Sequence, residues 1–590
     1  MEAVNKVQSA AANAVSLEIL GNRLLSVAEE MGATLIKTAY STNIKERRDC
    51  STAVFDARGQ MIAQAEHIPM HLGSLLGAVT SLLQKFSVET LKPGDTFVTN
   101  DPYSGGGTHL PDITLVSPVF WDETLVGFVA CLAHHADVGG KVPGSTSGDA
   151  NSIFQEGLRI PLTRVCNAGE LVQDVVDFVL LNSRTPTERE GDLAAQIAAN
   201  RVGEKRLQDV VKNYGVERYF SITAALMDYA EKLMSAGIRS LPDGVYSFVD
   251  YMDDDGINIG KHLPIAVTIT IQGETAHVDF AGSNPQVNGP INVPLNGTLA
   301  TVFYCFKALV GANIPSNQGI YRVLNVTAPE GSIVNCQPPA PVGERIDTCQ
   351  RVADVIFGAM AEAVPNRVIT ASNSSVTTAT FSGTNAKTGD FFVYLETIAG
   401  GQGAHANGDG LSGVQVHMTN TSNLPAEALE REYPLLVKRY TLRQNSGGAG
   451  CYRGGLGIQR DILALQDGIT FSSLADRQQL PPWGLNGGKD GAAGQYLLVR
   501  KNGEVKKLGA KDSGVCLDAG DIISVQTPGS GGFGNSYKRD AAHVRQDVVD
   551  GKINREAAMD LYGVIIDEQH VVDEKATQLV RSAWNKPELL

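Results

Sequence analysis

NDPYSGGGTHLPDITLVSPVF, residues 100–120, joins a glycine-rich polar loop to an apolar run that is typical of a β-strand. His109 and Asp112 stand three positions apart, around a proline, where the loop ends and the predicted strand begins. LVGFVACLA, residues 125–133, predicts the next strand along the chain. The pattern therefore places groups capable of chemistry at the end of a β-sheet.

Two more segments carry histidines or carboxylates beside predicted strands: KERRDC at 45–50 and LAHHAD at 132–137. Five of the 11 histidines lie between positions 67 and 135. Successive side chains of a strand point to opposite faces, so only one of His134 and His135 can share a site with His109.

A set of imidazoles and carboxylates without thiolates suits Mn²⁺, Fe²⁺ or Zn²⁺ at a catalytic site. The alternative is that these residues are hydrogen-bonded loop residues, and the residues alone leave both interpretations open. HIPMH, residues 67–71, is not a helical zinc-protease motif, because it contains Pro69 and lacks the glutamate. One of its histidines is expected to cap a turn or to line the same pocket.

Hydrophobic periodicity predicts a mixed α/β (α+β) protein, with helices and strands in a metal-bearing N-terminal region, a β-rich C-terminal half and a helical tail. Helices are predicted at 17–35, 72–86, 187–238, 295–312, 347–363 and 537–582, and strands within 51–65, 96–136, 244–280 and 390–535. The acidic run Asp253–Gly256 is predicted to be a solvated hairpin tip. The predicted regions are 1–240 (N-terminal α/β, with the metal site), 241–385 (central α/β), 386–536 (glycine-rich β) and 537–590 (helical tail).

Composition excludes several classes of partner. The 590 residues include 49 Lys and Arg against 64 Asp and Glu, a net charge of −15, which argues against nucleic acid and anionic membranes. No apolar run approaches the ~20 residues that cross a bilayer, and the first residues do not resemble a secretory signal. The eight cysteines form no CxxC pair, which excludes a zinc ribbon. A cytoplasmic protein is predicted.

Three other motifs carry less weight. GSGGFG, residues 529–534, matches GxGxxG, but only a helical tail follows it, so a dinucleotide site is not predicted. Neither a GxxxxGK[ST] phosphate loop nor a GxSxG nucleophile motif is present. The loop 399–405, ending in His405, forms with Asp409 and His417 either a second polar site or a glycine-rich turn without catalytic function.

Ordered segments over nearly the whole chain resemble one family. They are HIPMHLGSLLGAV (67–79), NDPYSGGGTHLPDITLVSPVF (100–120), AHHADVGGKVPGS (133–145), PEGSIVNCQPPAPVGER (329–345), LEREYPLLVKRY (429–440), SGGAGCYRGGLG (446–457), PPWGLNGG (481–488) and PGSGGFGN (528–535). By these segments the chain resembles the hydantoinase B family, the B-type subunits of ATP-dependent hydantoinases, oxoprolinases and lactamases, with acetone carboxylase subunits as relatives.

The resemblance implies a centre for one divalent transition metal, Mn, Fe or Zn. Its ligands are assigned to the HLPD segment, the AHH segment and the carboxylate after the arginine pair, namely His109, Asp112, His134 and Asp49. Three neighbouring groups are expected to orient imidazoles or substrate or to act as general base, namely Asp101, His135 and Asp137.

The resemblance also implies that ATP and Mg²⁺ bind to a separate A-type subunit, so that this chain is half of a hetero-oligomer such as A2B2. The partner would phosphorylate a small cyclic amide, and hydroxide held by the metal would then open the ring. ATP-dependent ketone carboxylation and a scaffold with a structural metal are the alternatives. The sequence leaves open which ring is opened, which metal binds and the stoichiometry of the complex.

Overall fold

In the computed structural model, which describes residues 2–65, 67–311 and 313–584, a seven-stranded antiparallel sheet organises the N-terminal part of the chain. Its strand order is β2-β1-β5-β4-β3-β6-β7. The strands are β1 (Cys50–Asp56), β2 (Met61–Gln64), β3 (Thr96–Thr99), β4 (Asp112–Trp121), β5 (Thr124–His134), β6 (Thr163–Asn167) and β7 (Glu170–Leu171).

Helices cover both faces of this sheet. Val54 shares a core cluster with Leu24 and Met31 of α1, whereas its neighbour Phe55 packs with Leu75 of α3 on the opposite face. Because helices cover both faces, every residue of β1 is buried, and burial does not alternate along the strand. The helices are α1 (Glu2–Thr38), α2 (Thr42–Lys45), α3 (His71–Lys85), α4 (Gln173–Leu181), α5 (Pro186–Tyr214) and α6 (Val216–Arg239).

The helix predicted over 187–238 is two helices. Gly215 separates α5 from α6 and has a φ of 76°, a left-handed conformation that glycine adopts without a steric penalty.

A four-stranded sheet in the order β11-β10-β9-β8 forms the central region, with α7 (Leu295–Val310) and α8 (Arg345–Met360) against it. Burial alternates along β9, because only one face of this sheet packs on α8. Every residue of α8 except the half-buried Ile346 is buried, so this helix lies deep in the molecule. The strands are β8 (Gly244–Met252), β9 (Leu263–Gln272), β10 (Thr275–Asp279) and β11 (Leu324–Thr327).

The C-terminal half contains two more sheets, in the orders β13-β12-β16-β19 and β14-β15-β20-β17-β18. Three helices, α10 to α12, form the tail. The elements are β12 (Thr378–Thr384), β13 (Phe391–Thr397), α9 (Ala426–Glu432), β14 (Leu435–Leu442), β15 (Ile458–Ala464), β16 (Ile469–Leu474), β17 (Gln495–Val499), β18 (Val505–Leu508), β19 (Val515–Leu517), β20 (Ile522–Gln526), α10 (Ala541–Val549), α11 (Arg555–Tyr562) and α12 (Glu574–Trp584).

Glycine-rich loops pack backbone against backbone between these sheets. The amide of Gly531 donates to the carbonyl of Ala371, and the amide of Gly448 donates to that of Ser530. A Cβ on Gly531 would collide with the carbonyl of Trp483. The glycines of 529–534 therefore serve close packing, which accounts for the GxGxxG match without a nucleotide.

The mixed α/β class is confirmed, whereas the four region boundaries stay predictions. The solvated acidic tip is wrong: Asp253, Asp254 and Asp255 are at most 2 % exposed. Asp253 is buried because its carboxylate accepts bonds from the backbone amides of Gln478, Gln479 and Leu480. The eight cysteines are all free, and six of them are buried. Among the described helices, none is both long and apolar enough to cross a membrane.

Candidate metal centre

Three neighbouring strands bring polar side chains to one end of the N-terminal sheet. Asp49 directly precedes β1, Asp112 begins β4, and His134 ends β5. The strands are antiparallel, with Cys50 opposite Ala133 and Asp112 opposite His134. This register brings together residues that are distant in the chain: Asp112 and His134 are 22 positions apart, and Asp49 and His134 are 85 positions apart.

His109, in the loop before β4, completes a buried group with Asp112 and His134. One potential ligand atom from each of the three lies within 4.8 Å of the others. His109 Nε2 and Asp112 Oδ1 are 3.0 Å apart, and neither atom has another hydrogen-bond partner among the described residues. Buried polar atoms rarely lack further partners, so this pair is a candidate to bind a ligand. An imidazole nitrogen and a carboxylate oxygen are suitable ligands for a divalent metal.

His71, the first residue of α3, closes the other side of the group. Its Nε2 is 3.6 Å from Asp49 Oδ1 and 3.8 Å from Asp112 Oδ1. Its Nδ1 is 3.0 Å from the hydroxyl oxygen of Ser51. His71 is thus a fifth polar residue at the centre. The HIPMH motif was its only signal in the sequence, which did not distinguish it from His67.

Two arginines, Arg47 and Arg345, act to lower the pKa values of Asp49 and Asp112. Burial favours the neutral form of Asp112, but His109 and Arg345 outweigh burial and hold its pKa well below the usual range. Arg345 Nη2 lies 2.6 Å from Asp112 Oδ2. Burial raises the pKa of Asp49 to about 7, although Arg47 opposes this at 4.0 Å. Asp112 therefore stays charged at neutral pH, whereas Asp49 is easily neutralised.

Burial shifts all three histidines towards the neutral form, which is the form that binds metal. Burial lowers the pKa of His71 to about 4, and it also lowers the pKa values of His109 and His134. His109 Nδ1 lies 3.3 Å from the carbonyl oxygen of Gly343. A proton on Nδ1 would donate to this oxygen and leave the lone pair of Nε2 facing Asp112.

The structure places the three expected orienting or basic residues away from this group. His135 Nε2 is 2.9 Å from Gln196 Oε1, on the opposite side of β5 from His134. Asp137 forms a salt bridge with Arg184 and accepts the amide of Gly144. Asp101 forms a salt bridge with Arg159. None of the three lines the cavity described below.

The second candidate polar site, formed by His405, Asp409 and His417, is also not brought together, because each of these residues has a different partner. Asp409 forms a salt bridge with Arg539, whereas His417 is buried 3.6 Å from Asp354. His405 makes local contacts with its own turn, through the backbone of Asn407 and Gly408. These three residues do not form one site.

A cavity of about 50 Å³ opens beside the centre. A second cavity, of about 380 Å³, lies next to it, and Ile68 lines both. The first is lined by Asp49, Ile68, His71, His109, His134, Thr146, Gly343, Glu344, Arg345, Ile346, Val376, Thr378, Leu395, Thr397, Thr419 and Thr421. The metal centre is thus enclosed by protein except on the side of this cavity, which has room for water-sized groups.

The chain is a mixed α/β protein with a buried histidine–aspartate group that could hold a metal ion. The chain belongs to the hydantoinase B/oxoprolinase family, whose profile matches residues 13–536. It is 35 % identical to a putative B-type subunit of a D-/L-hydantoinase from Pseudomonas sp. (strain NS671), over 96 % of this chain and 98 % of that protein. It is 36 % identical to 5-oxoprolinase 1 of Arabidopsis thaliana, over 90 % of this chain but 42 % of that protein.

Solved structures agree with this membership. The ATP-dependent caprolactamase from Pseudomonas jessenii superimposes with a TM-score of 0.89 at 31 % identity, covering 96 % of this chain and 99 % of that one. Nucleotide-free acetone carboxylase gives the same TM-score at 19 % identity, covering 97 % and 82 %, which shows the fold alone. The chain thus spans less than half of the 5-oxoprolinases it matches but nearly all of the Pseudomonas hydantoinase subunit and of the caprolactamase chain.

Proposed function

We propose that this chain is the B-type subunit of an ATP-dependent hydrolase of cyclic amides, such as hydantoins, N-methylhydantoin, 5-oxoproline or lactams. Family membership and the likeness to a caprolactamase support the reaction class. The observation that carries the proposal is the buried group of His109, Asp112 and His134, with the unpartnered atoms of His109 and Asp112 facing each other.

His109, Asp112, His134 and Asp49 would hold one divalent transition metal, Mn, Fe or Zn. Their oxygen and nitrogen donors fit each of these ions, and Asp112 is charged without any metal present. When bound, such an ion would lower the pKa of its water to about 7 and so supply a nucleophile at neutral pH. The chain's own contribution is to fix the donors: Gly343 orients the His109 ring, and Arg345 holds Asp112.

The substrate ring needs more room than the 50 Å³ beside the centre. One water takes about 30 Å³ of liquid volume, so that cavity holds only one or two groups of this size. The neighbouring 380 Å³ cavity has apolar walls that include Leu72, Phe303 and Tyr304. We propose that the ring occupies this cavity and reaches the centre past Ile68.

ATP would be bound by an A-type partner, in a hetero-oligomer such as A2B2. An unstrained amide is a poor electrophile, and transfer of a phosphoryl group to its oxygen makes the carbon easier to attack. The Pseudomonas hydantoinase relative is named as one subunit of its enzyme, which supports a separate partner, and this sequence contains no Walker-type phosphate loop. The fold likeness to acetone carboxylase does not by itself favour ketone carboxylation.

Reconstitution with the ATP-binding partner tests the proposal. Purified complex, given ATP, Mg²⁺ and separately hydantoin, N-methylhydantoin, 5-oxoproline and caprolactam, should open at least one ring. Chelation of the transition metal should abolish ring opening while the circular dichroism spectrum stays unchanged. Bicarbonate-dependent consumption of acetone without ring opening would instead support a ketone carboxylase. Unfolding or dissociation on chelation would support a structural metal.

A further inference from the structure

Two buried carboxyl groups, Glu344 and Asp347, lie beside the small cavity, which His71, His109 and His134 also line. Glu344 lines the cavity and is 2 % exposed, and its Oε1 has no hydrogen-bond partner. Glu344 stands at the first position of the turn that begins α8, where its backbone carbonyl accepts the amide of Asp347, and the charge of Asp347 acts on the Glu344 carboxyl group across this turn. Two carboxyl groups that interact in this way share a proton, because two negative charges this close in a buried site repel strongly.

The surroundings locate that proton on Glu344. Asp347 accepts the backbone amide of Val376 at 2.6 Å and the hydroxyl of Ser375 at 3.2 Å, which favours its charged form. Glu344 has no comparable donors within the described part of the chain. Burial raises its pKa well above the usual value, and the neighbouring Asp347 raises it further, whereas Lys511 and Arg345 oppose both. The member of the pair that favours the protonated form is thus the one that borders the cavity.

We propose that Glu344 is a catalytic residue that protonates the ring nitrogen as the amide C–N bond breaks. This inference rests on the proposed function. It assigns a role to a group outside the metal ligands, and Asp347 acts through Glu344 as a positioning residue.

The chemistry of the phosphorylated amide shows why this proton matters. Addition of water to the phosphorylated carbon gives a tetrahedral carbon bearing a hydroxyl, a phosphoryl ester and the ring nitrogen. If the bond to the phosphoryl oxygen breaks, phosphate leaves, the hydroxyl loses its proton, and the original amide returns. ATP is then hydrolysed without ring opening.

If the C–N bond breaks instead, its electron pair goes to nitrogen, which takes the proton of Glu344 and leaves as an amine. The hydroxyl becomes a carbonyl and returns its proton to the Glu344 carboxylate. The product is an acyl phosphate, which a second water cleaves to carboxylate and phosphate. Amines are poor leaving groups without a proton, so the acid at Glu344 decides how the intermediate divides between the two routes.

The ratio of phosphate released to rings opened measures this division. In the reconstituted complex, with the cyclic amide that the wild type opens, one phosphate should accompany each ring. Glu344→Gln keeps the shape of the side chain but removes its acidic proton. We expect this variant to lose about 10²-fold or more in ring opening and much less in phosphate release, so the ratio should rise at least tenfold.

Glu156→Gln is the matched control. Glu156 is also buried, and burial raises its pKa to about 8. It accepts the amides of Val342 and Gly343 and does not line the cavity. Whatever its effect on the overall rate, this variant should keep the wild-type ratio.

The pH dependence of the wild-type complex provides a test that needs no variant. Raising the pH removes the proton from the pair, so the phosphate-to-ring ratio should rise with pH, while Glu344→Gln should give a high ratio at every pH. The charged or titratable groups facing Glu344 are Asp347, Arg345, Lys511 and Tyr496.

A Glu344→Gln complex that loses both rates together at an unchanged ratio would overturn the proposal. If that variant does not fold, a wild-type ratio that stays constant with pH would overturn it equally well. A wild-type complex that binds its partner and metal but opens none of the four rings would reject the proposed function itself, and the role of Glu344 with it.

Discussion

Two buried clusters in this molecule are rich in aspartate, but their partners differ. The metal centre combines aspartates with histidines at the end of the N-terminal sheet. The second, which we term the Arg351 cluster, comprises Asp250, Arg351, Asp354, Asp476 and Arg477. In it, Arg351 Nη2 lies 2.7 Å from Asp476, and Arg477 Nη2 lies 2.6 Å from Asp250 and 2.7 Å from Asp354.

The comparison shows that the number of carboxylates in a buried cluster does not by itself identify a metal-binding site. In the Arg351 cluster the aspartates have guanidinium partners, and the Nε atoms of Arg351 and Arg477, which lack hydrogen-bond partners, are donors that repel a cation. In the metal centre the unpartnered atoms, His109 Nε2 and Asp112 Oδ1, offer lone pairs to one point. We infer that the Arg351 cluster has a structural role, since removing one partner would leave a buried charge unpaired, and our proposal is that only the metal centre binds an ion.

The largest effect that we expect is the loss of bound metal when His109 is removed. His109→Ala deletes a donor atom of the buried group, so metal content should fall from about one ion per chain to almost none. Elemental analysis of the purified protein measures this, with circular dichroism to verify the fold. His405→Ala is the control, because His405 lies outside the centre, and it should retain the metal. Full metal content in His109→Ala would contradict the ligand assignment.

Removing a cation from the Arg351 cluster should have the opposite result: the protein should lose stability but keep its metal. Arg351→Met leaves Asp476 without its 2.7 Å partner in a fully buried position, and breaking such a pair reduces the free energy of unfolding by about 3–5 kcal/mol. Metal content should remain at the wild-type level. Chemical denaturation and elemental analysis measure the two quantities. Loss of metal at unchanged stability would show that the clusters have been assigned the wrong way round.

Local patterns predicted the elements around the centre but not its full membership. The periodicity of 72–86 predicted a helix, and the structure has α3 at His71–Lys85. The alternation of strand side chains indicated that His134 and His135 face opposite ways. Which of them faces His109 depends on the register of β5 against β4, and the structure pairs Asp112 with His134.

Local patterns could not predict contacts between segments that are distant in the chain. Arg345 reaches Asp112 across 233 positions, and Glu344 belongs to the same turn at the start of α8. Neither residue has a local signal, because a charged pair at a helix start is also typical of a solvated surface. The prediction that the acidic run at 253–255 is solvated was wrong for the same reason: its hydrogen-bond donors, at 478–480, come from the C-terminal half.

The smallest expected effect concerns Glu156, which holds the backbone next to the metal centre. It accepts the amides of Val342 and Gly343 at 3.1 and 2.7 Å, and the Gly343 carbonyl lies against His109. Burial raises its pKa from 4.5 to about 8. A carboxyl group whose pKa is raised by folding contributes its full stability below pH 4.5, and this contribution is lost as the pH rises through about 8.

Glu156→Gln removes this titration but also one of the two acceptor oxygens. The variant should therefore be less stable than the wild type at pH 5, by about 1–3 kcal/mol in the free energy of unfolding. The wild type then loses up to about 1.4 kcal/mol per pH unit relative to the variant, so the gap should narrow and close by pH 8. Chemical denaturation of both proteins from pH 5 to pH 8 measures it. A constant gap would show that Glu156 is ionised throughout, with its carboxylate held by the amides of Val342 and Gly343.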